Sequence, residues 1–395
     1  MPSNAITLTP TSTGHVFTRN PLMLSMPRAV PCVFSIYGQG YTSANPAYVG
    51  EVTAPAVINL AEFIEAIIPP IDDPGEQGEI ISYGLHDGCV TIAVDDGSQE
   101  PYTFQINAHL GGVSKQNFRK LIQTGTDIFA ARFLNPACNF FLTTRTHDWR
   151  LNIKETELYP LVFFYPLEGG LSVRDIVSGN TISLPATNNN VDYRGKLCCI
   201  DLKAIRQYFL DEYGFITGAY DILVNDTPAA RIAIQESRPQ RERYRLKFRN
   251  SFGAFEIVEI TGTAQLTPAF ENGEDTIDYK RYQTDIDDFA TERQRAEMSN
   301  VVKISTGYKT NDELLFILDA IASEEVYLLD LGAEPIKVIA TADELAYDVH
   351  ANRPQAFDLV LTAVDNDACI MPEMNYVLAS SRGHIFSEEF SEQFD

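Results

Sequence analysis

The chain has 395 residues, 45% of them hydrophobic, which excludes a disordered chain and exceeds what one ordinary core organises, so two or three domains are expected. Its formal net charge of −24 repels nucleic acid and anionic lipid except through a local basic patch. No apolar run approaches the roughly 20 residues that a membrane-spanning helix needs, and residues 1–13 lack the basic and apolar regions of a secretory signal, so neither a membrane span nor secretion is expected.

In chain order, residues 1–31 are rich in Thr, Ser, Asn and Pro and read as an arm or first edge strand, with a turn at Asn20-Pro21. Residues 32–37 read as a strand. Leu60, Phe63, Ile64, Ile67 and Ile68 suit a short helix over residues 58–68, stopped by Pro69-Pro70. Short strands follow at 79–83, 89–94 and 102–106, and Ser114 is placed to cap a helical turn reaching Ile122. Further strands are expected at 140–144, 151–153 and 161–165. Pro160 and Pro166 bracket the last as an edge or a domain crossing. A first domain therefore spans 1–158.

A middle β-sandwich-like domain is expected over 159–270, interrupted by one helix at 201–213 in which Leu202, Ile205, Phe209 and Leu210 form the apolar stripe. A hairpin over 241–262 closes it. Tyr244, Leu246 and Phe248 alternate with Arg245, Lys247 and Arg249, the period of a strand with one apolar and one charged face. Asn250-Ser251-Phe252-Gly253 supplies the turn, with Asn and Gly both suited to positive φ. An acidic linker is expected over 271–300 and a third, α/β domain over 301–395, whose best helix is 311–322 with Asn311 as its cap. The last residues, SEEFSEQFD, are polar and acidic, with Phe386, Phe390 and Phe394 four residues apart, a spacing that suits either an amphipathic peptide for a partner or a frayed tail. The fold class is mainly β, α+β overall, as tandem sandwiches or small barrels with a few short helices.

Catalytic, cofactor and metal signatures are not found. The six histidines are dispersed without HExxH or HxH spacing, the acid pairs sit in loop contexts, and no phosphate-binding glycine loop or nucleophile elbow occurs. Six scattered cysteines without CxxC pairs read as buried free thiols of a reducing compartment, with Cys198 and Cys199 on opposite strand faces. The concentrated basic stretch is the remaining feature: Arg243, Arg245, Lys247 and Arg249 stand in an otherwise acidic chain. Two readings weigh equally. The four side chains dock an acidic surface of another subunit, or they are neutralised internally by Glu256, Glu259 and the acidic 271–288 stretch. Nucleic-acid binding ranks lower, because Tyr244 and Phe248 alternate to the opposite face.

Three stretches carry a family resemblance: FRNSFGAFEIVEITGTA, FTRNPLML and GYKTNDELLFILDAIASEEVYLLD. They are similar to parts of uncharacterised virion proteins of phages and prophages of gut bacteria. That resemblance implies a β-rich tail, baseplate or adaptor component, assembled in the bacterial cytoplasm with copies of itself and with other virion proteins, and it transfers no catalytic residue. The alternative is a receptor- or glycan-binding β-sandwich module, with a glycoside hydrolase-like enzyme third.

Overall fold

A computed structural model of the chain describes residues 5–364, apart from 11, 28–29, 54, 76–77, 99, 147, 189, 238–241, 272–274, 277–291, 294–296, 332–333 and 343–352. Strands predominate, in three sheet assemblies.

Strands within residues 7–59 and 89–109 form two facing sheets. One orders Thr7–Thr9, Met23–Met26 and Ala56–Asn59, all antiparallel. The other orders His15–Phe17, Tyr102–His109, Cys89–Asp95, Pro31–Tyr37 and Tyr48–Thr53, with only the first pair parallel. Strand alternation turns Cys32, Phe34 and Ile36 inward, where they meet Val90, Ile92 and Val94. The helix expected over 58–68 is reduced to Ala61–Glu65, because Ala56–Asn59 is drawn into pairing with Met23–Met26; Leu60 and Ile64 still point into the core.

The middle assembly has a five-stranded sheet, in the order Arg150–Lys154, Thr227–Gln235, Ala219–Val224, Leu171–Asp175 and Thr181–Leu184. A three-stranded sheet orders Leu161–Phe164, Leu197–Ile200 and Ile81–Tyr83. Leu161–Phe164 is at the edge, as its flanking prolines require. Of the strand expected at 140–144, only a bridge from Phe141 to Phe163 forms. Ile81–Tyr83 comes from the expected first domain, so the chain crosses between assemblies earlier than residue 158. The Leu202–Tyr213 helix starts at Asp201, whose carboxylate accepts from the N–H groups of Lys203 and Ala204. Cys198 and Cys199 do face opposite ways, one into the middle core and the other into a separate aromatic cluster. Both are free and buried, which pushes each thiol up to about 12. Cys89, by contrast, is free and exposed.

The third assembly corrects the expected domain limits. A seven-stranded antiparallel sheet runs in the order Phe255–Ile260, Tyr244–Arg249, Val326–Leu328, Ile336–Ala342, Asp358–Ala363, Val301–Ser305 and Ala264–Leu266. The hairpin therefore opens the third unit rather than closing the middle one. Its apolar face decides this: Leu246 pairs opposite Leu328, and Phe248 packs edge-on against Phe316 of the Asn311–Ala322 helix. That helix is capped by Thr310 and not by Asn311, with Glu313 reaching back in a capping box. Most of the expected acidic linker and all of residues 365–395 lie outside the described residues.

A further cluster joins the three assemblies. Phe17, Ile71 and Leu85 from the first stretch meet Phe129, Phe133, Phe164 and Cys199, and Phe252 and Ala254 of the hairpin turn close the group.

Candidate functional site

The hairpin turn is where the assemblies meet, and its geometry follows from a few residues. Asn250 is buried and makes four side-chain hydrogen bonds. Its Nδ2 donates to Leu142 O at 2.8 Å and to Glu256 Oε2 at 2.6 Å, while its Oδ1 accepts from the N–H groups of Phe252 and Ala254. Asn250 does not adopt positive φ; Gly253 does, at +85°, and a Cβ there would stand 2.4 Å from Leu110 O. Gly112 N–H donates to Ser251 O, which ties the turn to the end of the first assembly. Ser251 donates to Asp319 of the long helix through both its N–H and its hydroxyl, and Thr144 Oγ1 donates to the same carboxylate at 2.6 Å.

Beyond the turn, the return strand carries two buried carboxylates across from the middle assembly. Arg145 lies between Glu256 and Glu157: its Nη1 is 2.7 Å from Glu157, its Nε 3.4 Å from Glu256, and Nη2 donates to Ile257 O. The guanidinium also stacks 4.1 Å over the Phe316 ring. Thr143 Oγ1 donates to Glu256 at 2.7 Å, and Glu259 N–H donates to Glu157 at 2.8 Å. Burial pushes Glu256 up, against the pull of Arg145, Asn250 and Thr143. Burial acts on Glu157 in the same sense, but the charges of Arg145 and Lys154 outweigh it and hold that carboxyl below the usual range.

This network floors a polar cavity of about 450 Å³ between the Arg150–Lys154 strand and the start of the Asn311–Ala322 helix. Lys154 and Lys309 both line it. Lys154 pairs with Glu313 at 2.8 Å, and Glu313 is held down to about 2: burial opposes this, and the Lys154 and Thr310 hydrogen bonds overcome it. Lys309 is buried and brought down to about 8 by desolvation and by its neighbour Lys154, and its Nζ donates to Glu259 O at 2.7 Å. A buried lysine beside a cavity suggests amine chemistry. Here the amine is engaged with a backbone carbonyl and its neighbour with a carboxylate, so the two lysines hold neighbouring elements together, Lys154 tying the middle assembly to the long helix of the third.

The four basic residues of the outgoing strand are also paired within the chain. Arg243 is 2.8 Å from Glu259, Arg245 makes a two-pronged contact with Asp330, Lys247 meets Asp73 at 2.5 Å, and Arg249 meets Glu325 at 2.9 Å. Arg249 Nη1 adds bonds to Ile71 O and Gly253 O. Of the two sequence readings, this geometry matches internal neutralisation, with Glu259 among the expected acids serving as a partner and with Asp73, Glu325 and Asp330 as further partners that were not expected. Asp73, Glu325 and Asp330 come from loops far along the chain. The docking reading would require these side chains to leave their partners.

A second polar group carried no sequence signal. His15 and His109, ninety-four positions apart, meet at 3.1 Å between Nδ1 and Nε2, because His15–Phe17 runs parallel to the end of Tyr102–His109. His86 packs beside His109 with ring centroids 5.1 Å apart, and Phe129 and Phe164 enclose the pair. Burial lowers His15 to about 4, against the pull of the Asp127 carboxylate. It lowers His109 well below the usual value, aided by the charges of His86 and His15. Among the described residues no group of His, Cys, Asp and Glu is arranged to hold a metal ion. His350, His384 and the Asp365/Asp367 pair lie outside them, and no described helix is long and apolar enough to cross a membrane.

No protein-family model matches the chain, and no curated protein sequence matches it.

Proposed function

We propose that the chain is a structural protein of a phage virion, a tail, baseplate or adaptor component that works by assembling with its own copies and with other virion proteins. The observation that carries this reading is the hairpin junction. Three β-rich assemblies are fastened by one turn and a buried ion-pair network, so that a load on one passes to the others through packed side chains and charge pairs rather than through a linker. Buried pairs of this kind gain little net stability over an apolar core. They specify how surfaces seat, which is what a scaffold requires. The acidic exterior keeps free subunits apart until a specific contact forms. The expected place of action is the virion, after assembly in the bacterial cytoplasm.

The test is sedimentation velocity and negative-stain imaging of the purified chain. Rings or defined oligomers are expected. A chain that remains monomeric at the highest attainable concentration would remove the self-assembly half of the reading. Neighbouring reading frames without capsid, tail or tape-measure genes would remove the virion half.

A further inference from the structure

The Lys115–Thr124 helix differs from the other long helices. It is capped at both ends, by the Ser114 hydroxyl and by Gly125 at φ +64°, yet none of its ten residues is buried. An isolated helix of this length is marginal in water, and tertiary packing of an apolar face normally secures it. Here the apolar face borders an open groove of about 710 Å³, walled by Phe118 and Ile122 from the helix and by Pro21 and Met23 from the chain opposite. Ile122 is 45% exposed and Met23 38%. The rim is basic. Lys115 and Arg119 line the groove and make no ion pair among the described residues, whereas the hairpin cations are all paired. In a chain of net charge −24 this is positive charge with no ion-pair partner among the described residues, beside exposed apolar side chains.

The sequence contains one segment of matching chemistry. Phe386, Phe390 and Phe394 recur every fourth residue, with Glu388, Glu389 and Glu392 between them. Rings at that spacing suit an apolar groove, and the carboxylates suit its lysine and arginine rim. We propose that the groove receives the 386–394 segment of a second copy of the chain. This rests on the assembly reading above and gives it a contact. Because segment and groove are different surfaces, the contact is head-to-tail and either closes a ring or extends a stack.

Two full-length variants test it. Phe386→Ala/Phe390→Ala/Phe394→Ala removes the rings, and Lys115→Glu/Arg119→Glu reverses the rim at exposed positions that leave the fold in place, as circular dichroism checks. The wild-type chain is expected to associate in sedimentation velocity, more weakly at high salt, and each variant alone to weaken association by at least about tenfold. An equimolar mixture of the two variants should then form dimers and stop, since one supplies the groove and the other the segment. If the wild type associates and both variants associate equally well, the groove contact is wrong while the assembly reading stands. If the wild type stays monomeric at every concentration, the assembly reading itself falls. A monomeric wild type, with a peptide of residues 383–395 that binds the phenylalanine variant but not the rim variant, would put the segment in the groove of its own chain and overturn the second-copy contact.

Discussion

A buried histidine pair makes acid stability a property of a few side chains. In the folded chain His15 is brought to about 4 from 6.5, and His109 is also lowered, both chiefly by burial. The unfolded chain thus takes up protons that the folded chain refuses, and stability falls as pH drops below about 6.5. Full expression at His15 corresponds to about 3 kcal/mol lost by pH 4. Carboxylates held low, such as Glu157 and Glu313, act in the same direction but only below their unfolded values near 4.5. Urea unfolding across a pH series should therefore show two limbs, the first between pH 6.5 and 4. His109→Leu removes a ring whose Nδ1 has no partner among the described residues, and should make the first limb shallower. A wild-type limb that begins only below pH 4.5 would contradict this assignment. No sequence reading exposes the pair, because positions 15, 86 and 109 are brought together by strand pairing and not by spacing.

At the scale of the element, the hairpin was legible and its neighbours were not. Alternation of Tyr244, Leu246 and Phe248 located the strand, and Gly253 takes the positive φ expected of it. The return strand misleads a pattern reading: all six residues of Phe255–Ile260 are buried, glutamates included, because its far side is covered by Thr143, Arg145 and Glu157 rather than by water. Asn250 was expected to matter for its backbone and matters for its amide. Asn250→Ala leaves two N–H groups, a carbonyl and the Glu256 carboxylate short of a partner in a buried site, a loss of about 3 kcal/mol in urea unfolding. Asn250→Asp should cost more, although it keeps the acceptor, because a second carboxylate would face Glu256 where Nδ2 now stands at 2.6 Å. An Asp variant as stable as wild type would show that the turn does not depend on that donor.

Across the whole molecule, the three assemblies have separate cores but share the Phe17–Phe129–Phe252 cluster, and the middle and third also share the charge network beneath the cavity. The β class was readable from short strands between turn residues. The limits of the assemblies were not, since Ile81–Tyr83 and the hairpin each pair with strands more than seventy residues away. Such exchange makes independent unfolding costly: melting the third assembly parts Arg145 from Glu256 and from the Ile257 carbonyl, and melting the first uncovers Phe252 and Gly253. Calorimetry of the wild-type chain should thus give one transition, with calorimetric and van't Hoff enthalpies in agreement. Arg145→Met keeps an apolar side chain of similar length but removes the guanidinium from Phe316 and from between Glu157 and Glu256. Removing one partner of a buried pair costs about 3–5 kcal/mol. The loss falls at the seam between the middle and third assemblies, so the variant's transition should split, with the Asn311–Ala322 helix and its sheet melting first. A single, merely shifted transition would mean that the aromatic cluster alone couples the assemblies and that the charge network only fills space between them.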